Sequence, residues 1–389
     1  MSILNSRERV LAAIEGKCVD KIPFDLGSTR VSGITKPAFI TLLEILNQRG
    51  NSFDLSKYSN DFFDAKQQLI KFDKEICESL GVDVRGIMPN LARKKPEPLE
   101  KEGYLFFTDE WGITYKKPKN SSQYYSREAG PLPKDPSIDD LESLQWPDPE
   151  NDKLFKGLEV KASDYIEDGY AVVIEGLGAG IYETASRIRG PESFYRDLVK
   201  RKDFSKALLN KVFSIKKDFW REAGKRLGEY VQIVREGDDL AGQENMLISP
   251  KVYRDMIKPL HKDLFEEIKN VFPKPIYIFF HSDGAMGEII PDLVESGIDI
   301  LNPIQVSAKG VNVEHIGKEF GNRLALWGAG IDTQSELPFK SPATIRSIVK
   351  TRLSQGSKYR FVFSAIHNIQ EDASKDNLTS FLDSFWDNR

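Results

Sequence analysis

Eight short apolar runs recur along this chain, separated by stretches of helical period, and that alternation leaves few folds open. The runs are Ile22–Leu26, Val82–Met88, Ala171–Leu177, Val231–Glu236, Ile276–Phe280, Ile298–Leu301, Leu324–Trp327 and Tyr359–Ala365. Strands separated by helices run parallel, because each crossover brings the chain back to the end from which the next strand starts. Eight such units in 389 residues favour an α/β fold closed into a (β/α)8 TIM barrel over an open doubly wound sheet. A single domain over residues 1–389 is the expectation.

The helix punctuation agrees. Ser6 ahead of Arg7–Ile14, with Gly16 behind, predicts a capped opening helix with a glycine stop. Ser249-Pro250 and Ser341-Pro342 each set a capping hydroxyl before a proline at the first helical position. Residues 94–158 break the rhythm with prolines, lysines and the aromatics Tyr104, Phe106, Phe107, Trp111, Tyr115, Tyr124 and Tyr125. They predict an insertion between strands two and three, with a β-hairpin around Gly103–Tyr115. Insertions after barrel strands border the active face, so this one reads equally as a lid or as a surface excursion.

Charge and cysteine content narrow the partners. The net charge of −4 is spread without a basic stripe, which argues against nucleic acid. The two cysteines, Cys18 and Cys77, lie far apart, against both a disulfide framework and a thiolate zinc site. The opening residues hold no long apolar segment, and no run approaches a membrane span, so a cytoplasmic protein is expected.

Barrel enzymes draw their catalytic groups from the carboxyl ends of the strands. Here those ends carry Asp25 and Arg30, Arg85 and Asn90, Glu175, then Glu236, Asp238 and Asp239. Further along come His281 and Asp283, Asn302 and Gln305, Asp332, and finally His367 and Asn368. His281 and Asp283 share one side of an extended chain and so reach one substrate or one metal; the plainer alternative is a turn at Asp283-Gly284. His367 is the next candidate among only four histidines, while His261 and His315 sit in helical stretches and read as surface or packing residues. Three carboxylates within Glu236–Asp239 would raise each other's pKa if buried together, which suits a general acid or a cation site; an exposed helix start explains them equally well. Gly176, Gly178 and Gly180 follow a strand, but their spacing is not the dinucleotide fingerprint, and close backbone approach is the preferred reading.

Several stretches taken in order resemble the uroporphyrinogen decarboxylase superfamily, which includes cobamide-dependent methyltransferases. They are Ser6-Arg7-Glu8-Arg9-Val10, Gly81–Arg85, Asp109-Glu110-Trp111-Gly112 and Asp238–Gln243, followed by Ser249-Pro250 and His281-Ser282-Asp283-Gly284. Gly297–Pro303, Gly328–Gln334, His367-Asn368-Ile369-Gln370 and Asn377 complete the series, so the likeness spans nearly the whole chain. It implies the barrel independently of the strand count.

The decarboxylase branch carries an arginine-rich segment after strand one and an aspartate after strand two. Here the first segment keeps only Arg30, the second position falls near Asn90, His367 matches that branch's histidine, and Tyr182 matches its tyrosine loosely. The thiol-methylating branch holds zinc with His-x-Cys and a later cysteine; this chain has His281-x-Asp283 and His367 at those places. Such a set better polarises oxygen or nitrogen than a thiol. The resemblance therefore implies methyl transfer between a small O- or N-methylated substrate and a corrinoid carried on a partner protein in the family's manner, with zinc at His281, Asp283 and His367. Asp238, Asp239 and Glu175 would supply acid–base groups or substrate contacts, joined by Asn302, Gln305 and Tyr182, with Arg30 and Arg85 on an anionic substrate group. Two other readings stay open: a decarboxylase of an acidic or tetrapyrrole substrate, and a non-catalytic corrinoid- or porphyrin-binding protein.

Overall fold

Seven parallel strands form the central sheet of the computed structural model, which describes residues 3–58, 61–273 and 275–389. They are β1 (Val84–Ile87), β2 (Ala171–Glu175), β3 (Ile233–Gly237), β4 (Tyr277–His281), β5 (Ile300–Asn302), β6 (Ala325–Asp332) and β7 (Phe361–Ile366). Each pairs with its neighbour in chain order, without the reversal of order that a doubly wound sheet contains.

The first expected strand, Ile22–Leu26, does not form. It contributes one parallel bridge, Phe24 to Phe363, made by two backbone hydrogen bonds to β7, from Asp25 N–H to the Phe363 carbonyl and from Phe363 N–H to the Pro23 carbonyl. At the other edge of the sheet the Asp83 N–H donates to the Phe24 carbonyl. Pro23 has no N–H to offer, and the Phe24 N–H is taken by the Asp83 carboxylate at 2.9 Å, so a side chain stands where a ladder bond would be. The segment thus links both edges of the sheet without being a regular strand.

Between β1 and β2 in sequence lies a four-stranded antiparallel sheet, Leu99–Lys101, Tyr104–Thr108, Thr114–Pro118 and Ser126–Ala129. The predicted hairpin is its second and third strands, turned by Asp109, whose carboxylate accepts from the Trp111 and Ile113 N–H groups. Phe107 stacks on Tyr115 and meets Tyr125 edge-on, which gives this sheet its own apolar face.

Helix α1 (Ser6–Glu15) is capped one residue earlier than expected, by Asn5 in a reciprocal box with Glu8, while Gly16 closes it in the left-handed conformation. Ser6 is released to donate to Asp83 at 2.8 Å. Val10, Ala13 and Ile14 of α1 pack with Val84, Ala171, Val173, Ile233, Phe279, Ile300, Ala325, Trp327 and Val362. Those strand positions alternate, so they mark the inward face of the curled sheet, with α1 across its amino-terminal end.

That alternation decides what reaches the opposite end. By parity Glu175, Arg235, His281 and Asn302 point inward, while Arg85 and Glu236 point to the helices outside. Among the described residues no helix is long and apolar enough to cross a membrane.

Candidate active site

At the carboxyl ends of the strands lies a cavity of about 160 Å3, lined in part by Arg30, Lys66, Arg187, Arg235, His281 and His367. His281 ends β4, and its Nδ1 lies 2.7 Å from Asn302 Oδ1 on β5. The Asn302 amide is oriented by its other end, because Nδ2 donates to the Trp327 carbonyl at 2.9 Å, an acceptor only. Oδ1 therefore faces the imidazole, Nδ1 must carry the proton, and Nε2 is left as a free lone pair. Burial lowers the His281 pKa to about 4, further helped by Arg235 and His367 against the pull of Asp283, so the ring is neutral at physiological pH.

The free Nε2 looks onto carboxylates, with Asp283 Oδ2 at 3.8 Å and Asp239 Oδ1 at 3.7 Å. His367, past the end of β7, brings its Nε2 to 3.9 Å from the same Asp283 oxygen. It does so from a left-handed backbone at φ 67°, a conformation that disfavours a β-carbon and recurs at functional sites. His281, Asp283 and His367 each offer one ligand atom, all within 4.8 Å of one another. Tetrahedral zinc with bonds of about 2.0–2.2 Å sets its ligands roughly 3.4 Å apart. The observed spacings need only small side-chain adjustment. The other Asp283 oxygen, Oδ1, is buried without a hydrogen-bond partner, an orphan that a bound ion or a ligand on it would satisfy. The Asn302-to-His281 bond is the outer-shell contact that metal-ligating histidines ordinarily make. These three residues fit a divalent ion that accepts nitrogen and oxygen donors.

Burial beside Glu183 and Asp283 pushes the Asp239 carboxyl well above its usual range, which favours its protonated form. The other two acids of the Glu236–Asp239 run go elsewhere, against the expectation of one acidic cluster. Glu236 turns outward, as parity requires, to Lys216 at 3.0 Å and the Trp220 indole N–H at 2.7 Å. Asp238 is fully buried and accepts from the Tyr182 and Glu183 N–H groups at 3.0 and 2.7 Å, capping helix α2 (Ile181–Arg189). Its Oδ2 also meets His261 Nε2 at 2.7 Å. Asp238 is therefore a buried support under α2 and not a substrate contact, and His261 is the buried packing residue that holds it.

The same contact explains the glycine run. A β-carbon on Gly180 would come within 2.1 Å of the Asp238 carboxylate. The helix terminus that could take a phosphate is already filled by the protein's own anion.

Other expected contacts move as well. Arg85 faces away from the cavity, its guanidinium 3.5 Å from the Tyr170 ring centroid and hydrogen-bonded to the Val82 and Val84 carbonyls. It holds no substrate. Gln305 accepts from the Gly284 N–H and pins the loop that carries Asp283, while the Tyr182 ring packs against Phe194. Asn302 serves His281, as above. Glu175 is buried and grips Arg30, through the Arg30 backbone N–H and Nε, each at 2.7 Å. Burial would raise Glu175, but Arg30 and Arg235 outweigh it and keep the carboxylate ionised.

Four cavity cations went unread in the sequence: Lys66, Arg93, Arg187 and Arg235. Two left a signal. Arg235 shares parity with Ile233 on β3, and Arg187 lies one helical turn from Glu183, with which it pairs. Tyr124 and Tyr125, from the stretch leading into the last antiparallel strand, also line the cavity, so the region expected to be a lid or an excursion supplies part of its wall.

The family pattern described as uroporphyrinogen decarboxylase (URO-D) matches residues 122–386. Among solved structures, the chain is similar to a methyltransferase from Methanosarcina mazei, with TM-score 0.65 and 16% identity over 99% of each chain. It is more distantly similar to the β-glycosidase of the hyperthermophile Thermosphaera aggregans, with TM-score 0.41 and 11% identity over 94% of this chain and 97% of that one. None of the curated proteins matches in sequence.

Proposed function

This chain belongs to the uroporphyrinogen decarboxylase family, and from that premise we propose that it moves a methyl group between a small O- or N-methylated substrate and a corrinoid carried by a partner protein. The observation that carries the reading is the convergence of His281, Asp283 and His367 on one another, with His281, His367 and Asp239 lining a strand-end cavity. A zinc ion held by those three side chains would act as a Lewis acid on the oxygen or nitrogen that gives up its methyl group. His281 presents Nε2 because Asn302 fixes its tautomer, and Asp283 supplies the anionic ligand of the set. Asp239, kept protonated by its surroundings, hands a proton to the departing heteroatom, so that an alcohol or amine leaves in place of its anion. The M. mazei likeness, a methyltransferase of the same fold, supports this branch over the decarboxylase one.

One observation favours a second reading. The cations that line the same cavity as the imidazoles would also hold a carboxylate that leaves as carbon dioxide, a reaction with no need for the metal set.

The discriminating assay incubates the protein and zinc with reduced cobalamin and a panel of methyl ethers and methylamines. Methylated cobalamin accumulating by visible absorbance, abolished by a chelator, is the expected outcome. Inertness across the panel, with carbon dioxide released from a carboxylated substrate, would replace methyl transfer with decarboxylation.

A further inference from the structure

The cations of the cavity are not all spoken for. Arg30 is bound to Glu175, Arg93 to Asp64 with Nε at 2.7 Å from its carboxylate, and Arg187 to Glu183. Two remain. Among the described residues Arg235 reaches only Glu175, at 3.7 Å, a carboxylate that Arg30 already occupies, and its buried Nε has no hydrogen-bond partner there. Lys66, on the turn between the short strands Phe62–Asp64 and Leu69–Ile70, is buried with its ammonium 3.8 Å from the Tyr115 ring centroid. No carboxylate among the described residues comes within salt-bridge distance of it.

We propose that Lys66 and Arg235 form the anion subsite of this cavity, and that the molecule bound there carries a carboxylate. A buried guanidinium with an empty donor is costly unless something fills it, and a small ligand entering the cavity is the available partner. Glu183 also lines the cavity and would repel a dianion such as phosphate, whereas a singly charged planar carboxylate suits a guanidinium fork and a lysine together. Burial beside Arg187 and Arg93 pushes the Lys66 pKa well below the lysine range, which an arriving anion reverses. The subsite replaces the expected pair Arg30 and Arg85, one of which is neutralised and the other turned away. It narrows the substrate of the proposed reaction to a methylated carboxylic acid, and so rests on that cavity being the substrate site.

Isothermal titration in low-salt buffer with benzoate and its neutral isostere benzamide tests it without any turnover. Benzoate should bind at least about tenfold more tightly than benzamide. Lys66→Met and Arg235→Met should each erase that preference, and Lys66→Arg, which keeps the charge, should retain most of it. Equal affinity for the two probes, or a preference that survives both methionine variants, overturns the subsite. If benzoate is preferred and the methyl-transfer assay fails, the subsite stands and the reaction alone is wrong.

Discussion

His281→Ala is expected to lower the methyl-transfer rate by on the order of a thousandfold and to remove bound zinc, with the chain still folded. The imidazole is 4% exposed and already neutral, so its value lies in one lone pair aimed by Asn302 at Asp283 and His367. Alanine deletes that lone pair and leaves Asn302 Oδ1 without its donor, a cost to stability of about 1–3 kcal/mol. A chain of 389 residues with two buried apolar clusters tolerates such a loss, so activity and stability separate cleanly. The check is zinc content, turnover and the denaturant midpoint measured on one preparation. A variant that kept its zinc and its rate would remove His281 from the mechanism.

The largest stability effect should come from a residue that touches no substrate. Asp238→Ala is expected to destabilise the fold by about 3–5 kcal/mol, the usual consequence of removing one partner from a buried charged network. Three donors lose their acceptor at once: the Tyr182 and Glu183 N–H groups and the His261 Nε2–H. His261 cannot recover by turning to solvent, because its ring is enclosed by Tyr253, Phe265 and Phe280. The loss also falls on the first turn of α2, where Glu183 sits, with Arg187 one turn on, so catalysis should decline together with stability. Urea unfolding of the variant measures the effect directly. A midpoint within error of the parent chain would mean that the cap is not what anchors α2.

How far the sequence could be read follows from the same geometry. Apolar runs announce strands, and seven of the eight expected ones pair in chain order. The exception, Ile22–Leu26, contains Pro23 and borrows a side-chain acceptor from Asp83, a long-range exchange that no local pattern encodes. His281 and Asp283 could be grouped because they lie two residues apart, and His367 because it follows a strand of the same sheet. Arg85 and Glu236 were misplaced by trusting position along a strand without fixing which face is inward. One inward residue per strand would have corrected both, since parity carries the rest.

Lys66, Arg93 and Arg187 could not be found that way. They arrive from a turn, a post-strand loop and a helix, and of the three only Arg187, one turn from Glu183, is marked by its own neighbourhood. Asp238 and Asp239 are the hardest case, adjacent in sequence and opposite in role. Which of the two goes under the helix is decided by the space that Gly180 leaves.

The central claim is that side chains from two distant strand ends make one ligand set. Diffraction from zinc-soaked crystals, recorded on either side of the zinc absorption edge, addresses it most directly. The account predicts one anomalous peak about 2.0–2.2 Å from His281 Nε2, His367 Nε2 and an Asp283 oxygen. A fully soaked crystal with no peak at those three residues, or with zinc bound only elsewhere, would contradict it.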